Sequence, residues 1–362
     1  MRTRRALSSL LLVAAGVGLT QRAQAEPLLA LDPPPGPTST HSDLHGQGTG
    51  WQRLVIEAMH TRVAVTLPDS ATATDAARAA FEAVRRVDVE MNEWRPGSPL
   101  AEVNRQAGGT PQPVPPGLRA VLRRSIAIGH ATGGAFDVTW AALWGLWDFD
   151  ANPPRLPDPA EVKRRAGLVD FRRIELDEGA GTVRLPVAGM AIGLGGIAKG
   201  WALDTAAAEL RARGVTDFLL DAGGQLLAGG THAGQPWQVG VRDPRGKPDA
   251  VLARLRLGDE SLATSGDYER FFEIHGVRYH HVLDPRTGWP ARGLRAVMCV
   301  AREAALADAV PKAVMVLGWR RGVALARALG VELAAVDERG RLRMTPGMRQ
   351  RRIGGSARSL SD

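Results

Sequence analysis

Hydrophobic residues along this chain alternate with polar ones over short stretches and recur every three or four positions over longer ones. Alternation is typical of a strand with one buried face, and the longer spacing is typical of a helix packed on a core. The alternating stretches predict strands at residues 51–67, 215–220, 251–257, 331–336 and 341–344. The helical spacing predicts helices at residues 71–91, 118–131, 197–213, 304–317 and 320–329.

Glycine and proline separate these elements and predict the turns between them. Gly179-Ala180-Gly181 predicts a hairpin within residues 173–187, and His275-Gly276 predicts a second one between its flanking strands. Residues 153–159 are predicted to be an exposed loop. Helices and strands in mixed order, with hairpins prominent, indicate an α+β fold. We expect a single unit of two lobes, with mixed, largely antiparallel sheets and flanking helices.

The N-terminal residues differ in composition from the rest of the chain. Arginines precede an apolar run from Leu10 to Leu19, and Ala23-Gln24-Ala25 is typical of a cleavage site, which predicts a signal peptide at residues 1–25. The Arg4-Arg5 pair favours twin-arginine export, with a Sec signal as the alternative. Either signal predicts an exported, periplasmic protein without stable membrane insertion. The Pro-, Gly- and Ser-rich residues 26–50 predict a disordered linker.

The net charge of +8 does not by itself favour a nucleic-acid partner. The basic residues are almost all arginines, several lie in the signal peptide, and more lie in a predicted mobile basic tail at residues 347–362. Aromatic residues do not alternate with them, as they do in single-strand binding surfaces. The sole cysteine, Cys299, excludes an intramolecular disulfide and is predicted to be a small buried residue.

The segment from Gly193 to Gly200, with the sequence GLGGIAKG, is the strongest chemical signal. Three glycines in four positions allow successive backbone N–H groups to turn inward as an anion-holding nest. The nest precedes a predicted helix, whose N-terminus is partially positive, and Lys199 adds a full charge. This combination suits a phosphate or diphosphate, although the spacing is neither G-x-x-x-x-G-K-(S/T) nor G-x-G-x-x-G. A structural turn with a salt-bridged lysine is the alternative.

This glycine segment, continuing to Asp204, resembles that of the FAD:protein FMN transferases, the ApbE family. Other segments similar to motifs of that family follow the same order along the chain. They are residues 92–98 with Asn104, 134–139, 221–224, 264–268, 281–288 and 307–309. The resemblance extends over residues 51–318 and implies a single ApbE-like unit at residues 51–346. Each motif is weak alone, whereas all of them in order form a specific pattern.

The resemblance implies that the FMN half of FAD is transferred to a Ser or Thr hydroxyl of an acceptor protein, with release of AMP. FAD is then the substrate, and Mg²⁺ usually neutralises the phosphoryl charge in such reactions. The acceptor is expected to be another chain, because this sequence contains no D-x-x-(S/T)-(S/G)-A-(T/S) site. Two alternatives remain open: an FAD pyrophosphatase that gives FMN and AMP, and an FAD-binding accessory protein with a decayed metal site.

The resemblance also implies roles for individual residues. His281 and Lys199 are the implied catalytic residues, His281 as the general base and Lys199 at the diphosphate. The implied FAD-binding residues are Met59, Trp94, Ala135, Phe136, Asp137, Gly193, Gly195, Lys199, Gly266 and Val282. The implied metal positions are Gly196, Asp308 and Lys312. Structural roles are the alternatives: a carbonyl partner for His281, and core packing for Met59, Trp94 and Phe136. We expect His280 to point to the opposite face of its strand.

Four positions depart from the family pattern. The family commonly has glycine where this chain has His60, aspartate where it has Gly193 and Gln225, and threonine where it has Lys312. An ammonium about 4 Å from a divalent cation costs roughly 8 kcal/mol at an effective dielectric of about 20, before relaxation and screening. Lys312 is therefore expected to point away, to replace the metal, or to form a salt bridge with Asp308 one helical turn earlier.

Overall fold

Eight α-helices and sixteen strands lie within the described part of the chain, residues 50–243, 245 and 251–355 of the computed structural model. The helices are α1 (Ala73–Glu90), α2 (Pro99–Arg105), α3 (Pro116–Thr132), α4 (Pro159–Ala166), α5 (Ala198–Ala212), α6 (Ala304–Leu317), α7 (Trp319–Leu329) and α8 (Pro346–Arg351). The predicted signal peptide, the linker up to residue 49 and residues 356–362 lie outside the described residues.

The strands are short and follow one another mainly through tight turns. They are β1 (Trp51–Ala58), β2 (Thr61–Pro68), β3 (Gln112–Pro113), β4 (Glu175–Asp177), β5 (Thr182–Arg184), β6 (Phe218–Ala222), β7 (Gln225–Gly229), β8 (Trp237–Arg242), β9 (Val251–Leu257), β10 (Ser261–Gly266), β11 (Phe271–Ile274), β12 (Val277–His280), β13 (Leu294–Ala301), β14 (Glu332–Asp337), β15 (Leu342–Met344) and β16 (Arg352–Gly355). Every pairing between these strands is antiparallel.

Eight of the strands form a central sheet in the order β1-β2-β6-β7-β10-β13-β14-β15. Strands β16, β9 and β8 form a second sheet, and β3, β5 and β4 form a third. The described residues all belong to one compact unit. The fold class predicted from the sequence, α+β with largely antiparallel sheets and flanking helices, is confirmed.

Strand β13 shows why the central sheet is buried on both faces. Side chains alternate between the faces of a strand. Val297 and Cys299 belong to a core shared with α1, α3, α5 and α6. Met298 and Val300 belong to a second core shared with β8, β9 and α8. Burial raises the pKa of the Cys299 thiol, and Cys299 is free and fully enclosed, as predicted.

The predicted helices at residues 71–91, 118–131, 197–213, 304–317 and 320–329 correspond to α1, α3, α5, α6 and α7. The single strand predicted at residues 51–67 is wrong, because this segment is the β1–β2 hairpin. Its two turn residues, Met59 and His60, have φ values of 54° and 55°. Two-residue hairpin turns require positive φ, which glycine and asparagine usually supply. Neither glycine nor asparagine is present at this turn, so the sequence carried no turn signal.

The C-terminal segment is part of the fold as far as Gly355, which corrects the mobile tail predicted from residue 347. Helix α8 places Met348, which is fully buried, in the second core. The Arg351 guanidinium pairs with the Glu260 carboxylate, and β16 then pairs with β9. Within the described residues, no helix is long and apolar enough to span a bilayer.

Candidate functional site

The segment that enters α5 is fixed by side chains from distant parts of the chain. The Asn104 side chain donates to Ile192 O at 2.8 Å and accepts from Ile192 N–H at 2.7 Å. The Trp140 indole N–H donates to Gly193 O at 3.0 Å, and Gly193 N–H donates to Val138 O at 2.8 Å. These bonds hold the backbone of Ile192 and Gly193 and leave the following amides for another partner.

Gly193 and Gly196 in this turn serve close packing rather than a left-handed backbone. Gly193, Gly195 and Gly196 all lie outside the region of positive φ, so the inward-turning nest expected from three glycines is not formed in that conformation. A Cβ at Gly193 would lie 3.1 Å from the Trp140 ring. A Cβ at Gly196 would lie 3.2 Å from both Phe136 and Lys312. The turn therefore needs glycine because its neighbours approach the backbone closely.

The Glu93 carboxylate lies next to backbone amides of the turn before α5. Hydrogen bonds from the Leu194 and Gly195 N–H groups act on this partly buried carboxylate. Desolvation raises the Glu93 pKa to about 7, and the hydrogen bonds oppose the rise. The turn thus directs two amides at a carboxylate of the chain itself. Sequence reasoning placed Glu93 in the segment 92–98 that resembles a family motif, but gave it no role of its own.

Lys199 lies in the first turn of α5 and is partly buried. Its ammonium makes no ion pair or hydrogen bond among the residues that the structure describes. The alternative of a salt-bridged structural lysine is therefore wrong for the described part of the chain. An unpaired ammonium at a helix N-terminus is suited to bind an anion such as a diphosphate.

Helices α5 and α6 cross in contact beside the turn. A Cβ at Gly200 would clash with the Ala304 carbonyl oxygen. The Asp204 carboxylate accepts the N–H groups of Ala304 and Ala305, each at 2.8 Å, which caps α6 from α5. Burial raises the Asp204 pKa to about 6. This junction places Asp308 and Lys312 of α6 against the turn.

Asp308 and Lys312 form the salt bridge considered from the sequence. Lys312 Nζ lies 2.7 Å from Asp308 Oδ1 and 2.8 Å from Asp308 O. Asp308 Oδ2 accepts the Gly200 N–H at 3.2 Å. Both oxygens of this buried carboxylate are therefore occupied.

The residues at the implied metal positions do not fit Mg²⁺, which requires oxygen ligands and disfavours a nearby ammonium. Asp308 is the only carboxylate among the three implied positions, and Lys312 neutralises it. In the described part of the chain, no three His, Cys, Asp or Glu side chains are grouped so that they could hold a metal ion.

The two adjacent histidines have different environments. His280 is buried; its Nε2 lies 2.8 Å from Ala291 O, and its Nδ1 accepts the Val282 N–H at 3.3 Å. These contacts give His280 a structural role and use the amide of buried Val282. For His281, Nδ1 is buried without a hydrogen-bond partner among the described residues. Desolvation, followed by the charges of His280 and Lys312, lowers the His281 pKa to about 4, so its imidazole is neutral at pH 7.

Aromatic side chains lie on both sides of the turn. Trp94 is 63% exposed and packs on Trp144, with ring centroids 4.3 Å apart. Trp144 meets Trp140 edge-on, and Trp140 contacts Gly193. Phe136 is buried in the main core and touches the turn at Gly196. Trp94 is thus not a core residue and is available to cover a flat ring, whereas Phe136 combines a core position with contact to the turn.

Asp137, Met59 and Gly266 are predicted FAD-binding residues that lie outside the turn before α5. Asp137 accepts three internal hydrogen bonds, two from Thr139 and one from Phe171, so its carboxylate anchors the loop that carries Ala135 and Phe136. Met59 lies in the β1–β2 turn and packs against the main core. Gly266 ends β10, where the ring of Tyr268 leaves no room for a side chain.

Comparisons with known proteins show the family of the chain. The ApbE family matches residues 59–336, a range that includes every implied site residue. The chain belongs to the ApbE family. It is 35% identical to the FAD:protein FMN transferase of Treponema pallidum over 284 residues, which are 74% of this chain and 78% of that relative.

Two solved structures of the family have the same fold. The crystal structure of the ApbE protein from Thermotoga maritima superposes with a TM-score of 0.77 at 31% identity and covers 84% of this chain and 100% of its own. The flavin transferase ApbE from Vibrio cholerae gives a TM-score of 0.74 at 25% identity, with 83% and 99% of the two chains covered. The family and fold expected from the sequence motifs are therefore confirmed.

Proposed function

We propose that this protein transfers the FMN moiety of FAD to a Ser or Thr hydroxyl of an acceptor protein and releases AMP. The observation that carries the proposal is the turn before α5. Two of its amides act on an anion, and Lys199 makes no ion pair with any residue that the structure describes. These groups supply a diphosphate site at a helix N-terminus. The names of the family's relatives, FAD:protein FMN transferases, support the same activity.

The chemistry follows from the groups around this turn. The acceptor hydroxyl oxygen attacks the phosphorus on the FMN side of the diphosphate, and a new P–O bond forms. The P–O bond to the AMP phosphate breaks, and its electron pair leaves with AMP. His281, neutral at pH 7, accepts the hydroxyl proton. Lys199 and the amides bind the diphosphate oxygens, and no step is assigned to Mg²⁺ because Lys312 occupies Asp308.

We further propose that the reaction takes place outside the cytoplasm, on an exported acceptor. The support for this is the basic start, the apolar run and the Ala23-Gln24-Ala25 site at the N-terminus. The order of Arg4-Arg5 before the apolar run favours the twin-arginine route. Fractionation of cells that express the full chain, followed by N-terminal sequencing of the protein, tests location and cleavage before Glu26.

The activity is tested with residues 26–362, FAD and an acceptor domain that carries a D-x-x-(S/T)-(S/G)-A-(T/S) site. We expect the acceptor to gain one FMN by mass spectrometry, with one AMP released for each FMN bound. The acceptor with its target hydroxyl replaced by Ala is the matched control. FMN and AMP formed at equal rates without labelling would indicate a pyrophosphatase instead. FAD binding without turnover would indicate an accessory protein.

A further inference from the structure

The Lys312 side chain occupies the space between α6 and the turn before α5. Its Nζ is held by both the side-chain and the main-chain oxygen of Asp308, one helical turn away. Its Cδ lies 3.2 Å from the position that a Cβ would take at Gly196. The side chain is 25% exposed, so its ammonium is fixed by the protein and still open to a ligand at the turn.

Lys312 also acts on the proposed general base. Its positive charge is among the causes that keep the His281 imidazole neutral. Lys312 therefore connects Asp308, its hydrogen-bond partner, with His281, on which its charge acts. Asp308 lies on α6 with both oxygens bonded, so its part is to hold the ammonium in place.

We infer that the Lys312 ammonium replaces a divalent cation in this protein, so that FAD binding and FMN transfer proceed without Mg²⁺. This inference rests on the proposed function. A fixed ammonium can pair with a diphosphate oxygen as a point charge. When the bond to the AMP phosphate breaks, the negative charge on the leaving oxygen develops near a group that is already positive. Lys312 stays protonated throughout, and no metal is consumed or released.

Removing the Lys312 charge gives the direct test. We expect wild-type protein to label the acceptor at the same rate, within twofold, in EDTA and in Mg²⁺. Lys312→Met keeps the length of the side chain and removes its charge. It should raise the Kd for FAD roughly 10-fold and slow labelling about 100-fold in EDTA. Lys312→Arg keeps the charge and should remain independent of metal. Lys163→Thr, at an exposed position on α4, is the matched control and should behave as wild type.

Lys312→Thr tests whether a divalent cation can take the place of the ammonium. The substitution frees the Asp308 carboxylate and places a hydroxyl one turn away, so a cation should bind where the ammonium stood. We expect Mg²⁺ to tighten FAD binding and to accelerate labelling in this variant only. Mn²⁺ should give an electron paramagnetic resonance signal of bound ion with Lys312→Thr and none with wild type. Circular dichroism and the Tm of each variant show that it is folded.

Wild-type labelling that stops in EDTA and returns with Mg²⁺ would overturn the inference. Stoichiometric Mn²⁺ bound to the wild type, with or without FAD, would overturn it as well. The binding measurements separate this inference from the proposed function. Wild-type FAD affinity that does not depend on Mg²⁺ supports the inference even if no condition gives labelling, and that absence of labelling would count against the transferase activity alone.

Discussion

Glu93 places its carboxylate against the two amides where a diphosphate would bind. Its raised pKa of about 7 places the ionisation of Glu93 close to neutral pH. In the proposed diphosphate site, a bound diphosphate and an ionised Glu93 would repel each other and would compete for the Leu194 and Gly195 N–H groups. At the scale of single residues, ligand binding is therefore coupled to the protonation or the movement of one side chain.

We expect the Kd for FAD to decrease as the pH falls from about 8.5 to about 6. In this range the Glu93 carboxylate takes up a proton, because its pKa is raised above the ordinary value rather than lowered. Titration calorimetry at several pH values measures the dependence. Glu93→Gln should bind FAD more tightly at pH 8 and lose most of the slope. The exposed Glu57→Gln should keep it; a wild-type slope in Glu93→Gln would show that another group titrates.

The kcat/KM for labelling should not fall as His281 is protonated until the pH approaches about 5. The lowered pKa of about 4 keeps the imidazole unprotonated, and able to accept a proton, at all higher pH values. The measurement is made in the Glu93→Gln variant, so that the ionisation of Glu93 does not contribute to the pH dependence. His281→Ala should lower kcat by roughly 10² to 10⁴, the usual contribution of a general base. His130→Gln, at an exposed position, should not. A His281→Ala variant of normal kcat would exclude the base assignment.

Single residues were predictable where the chemistry lies in one short segment. Lys199, His281 and Asp308 each stand within a motif, so the resemblance located them. Glu93 also lies in such a segment, residues 92–98, but its role was not found, because it depends on amides about a hundred positions later. Asn104 and Trp140 act on the turn from 88 and 53 positions away. Such contacts are set by tertiary packing, which no local pattern encodes.

The junction of α5 and α6 is the element-scale feature on which the site depends. Gly200 lets the two helices touch, and the Asp204 carboxylate caps the first amides of α6. The same contact brings the Gly200 N–H to Asp308. Separation of the two helices would therefore move Asp308 and Lys312 away from the turn.

Gly200→Ala should lower the free energy of unfolding by about 1–3 kcal/mol, as overpacking does in well-packed cores. A Gly→Ala change within a helix otherwise stabilises the helix by up to about 1 kcal/mol. The sign of the change in the free energy of unfolding therefore shows whether the added methyl group clashes with α6. Urea denaturation measures it. Ala208→Ser, at an exposed position of the same helix, should change stability much less. A Gly200→Ala protein as stable as wild type would show that the helices can separate without cost.

Helices and strands were predictable where the hydrophobic periodicity extended over many residues and ended at a glycine or proline. Helix α3 ends at Thr132 and is capped by Gly133 in a left-handed conformation, close to the predicted end at residue 131. Helices α2, α4 and α8 and strands β3, β8, β10, β13 and β16 were not predicted. Strand β13 is buried on both faces, so it shows a continuous apolar run rather than alternation. The β1–β2 hairpin turns on Met59 and His60, which give no turn signal.

At the scale of the whole molecule, one central sheet separates two cores. The helices that carry the site cover one face, and the β16-β9-β8 sheet with α8 covers the other. The two cores share β13 and β14, so damage to the second core should reduce global stability without altering the groups at the turn. The C-terminal segment was expected to be mobile because it is rich in arginine, yet Met348 makes it part of this core.

Met348→Ala should lower the free energy of unfolding by about 2–5 kcal/mol, because Met348 is fully buried and its removal leaves a cavity. Thermal unfolding followed by circular dichroism measures the loss. The Kd for FAD should stay within twofold of wild type below the Tm, since the turn lies on the other side of the sheet. Gln350→Ala, at an exposed position of α8, is the control. An unchanged Tm in Met348→Ala would mean that α8 is dispensable.

The enclosed thiol of Cys299 has a consequence for how the native state responds to its surroundings. A chain with one cysteine has no internal disulfide to form. Its native state is therefore the same in a reducing compartment and in an oxidising one. Formation of that state requires neither a disulfide oxidase nor a disulfide isomerase.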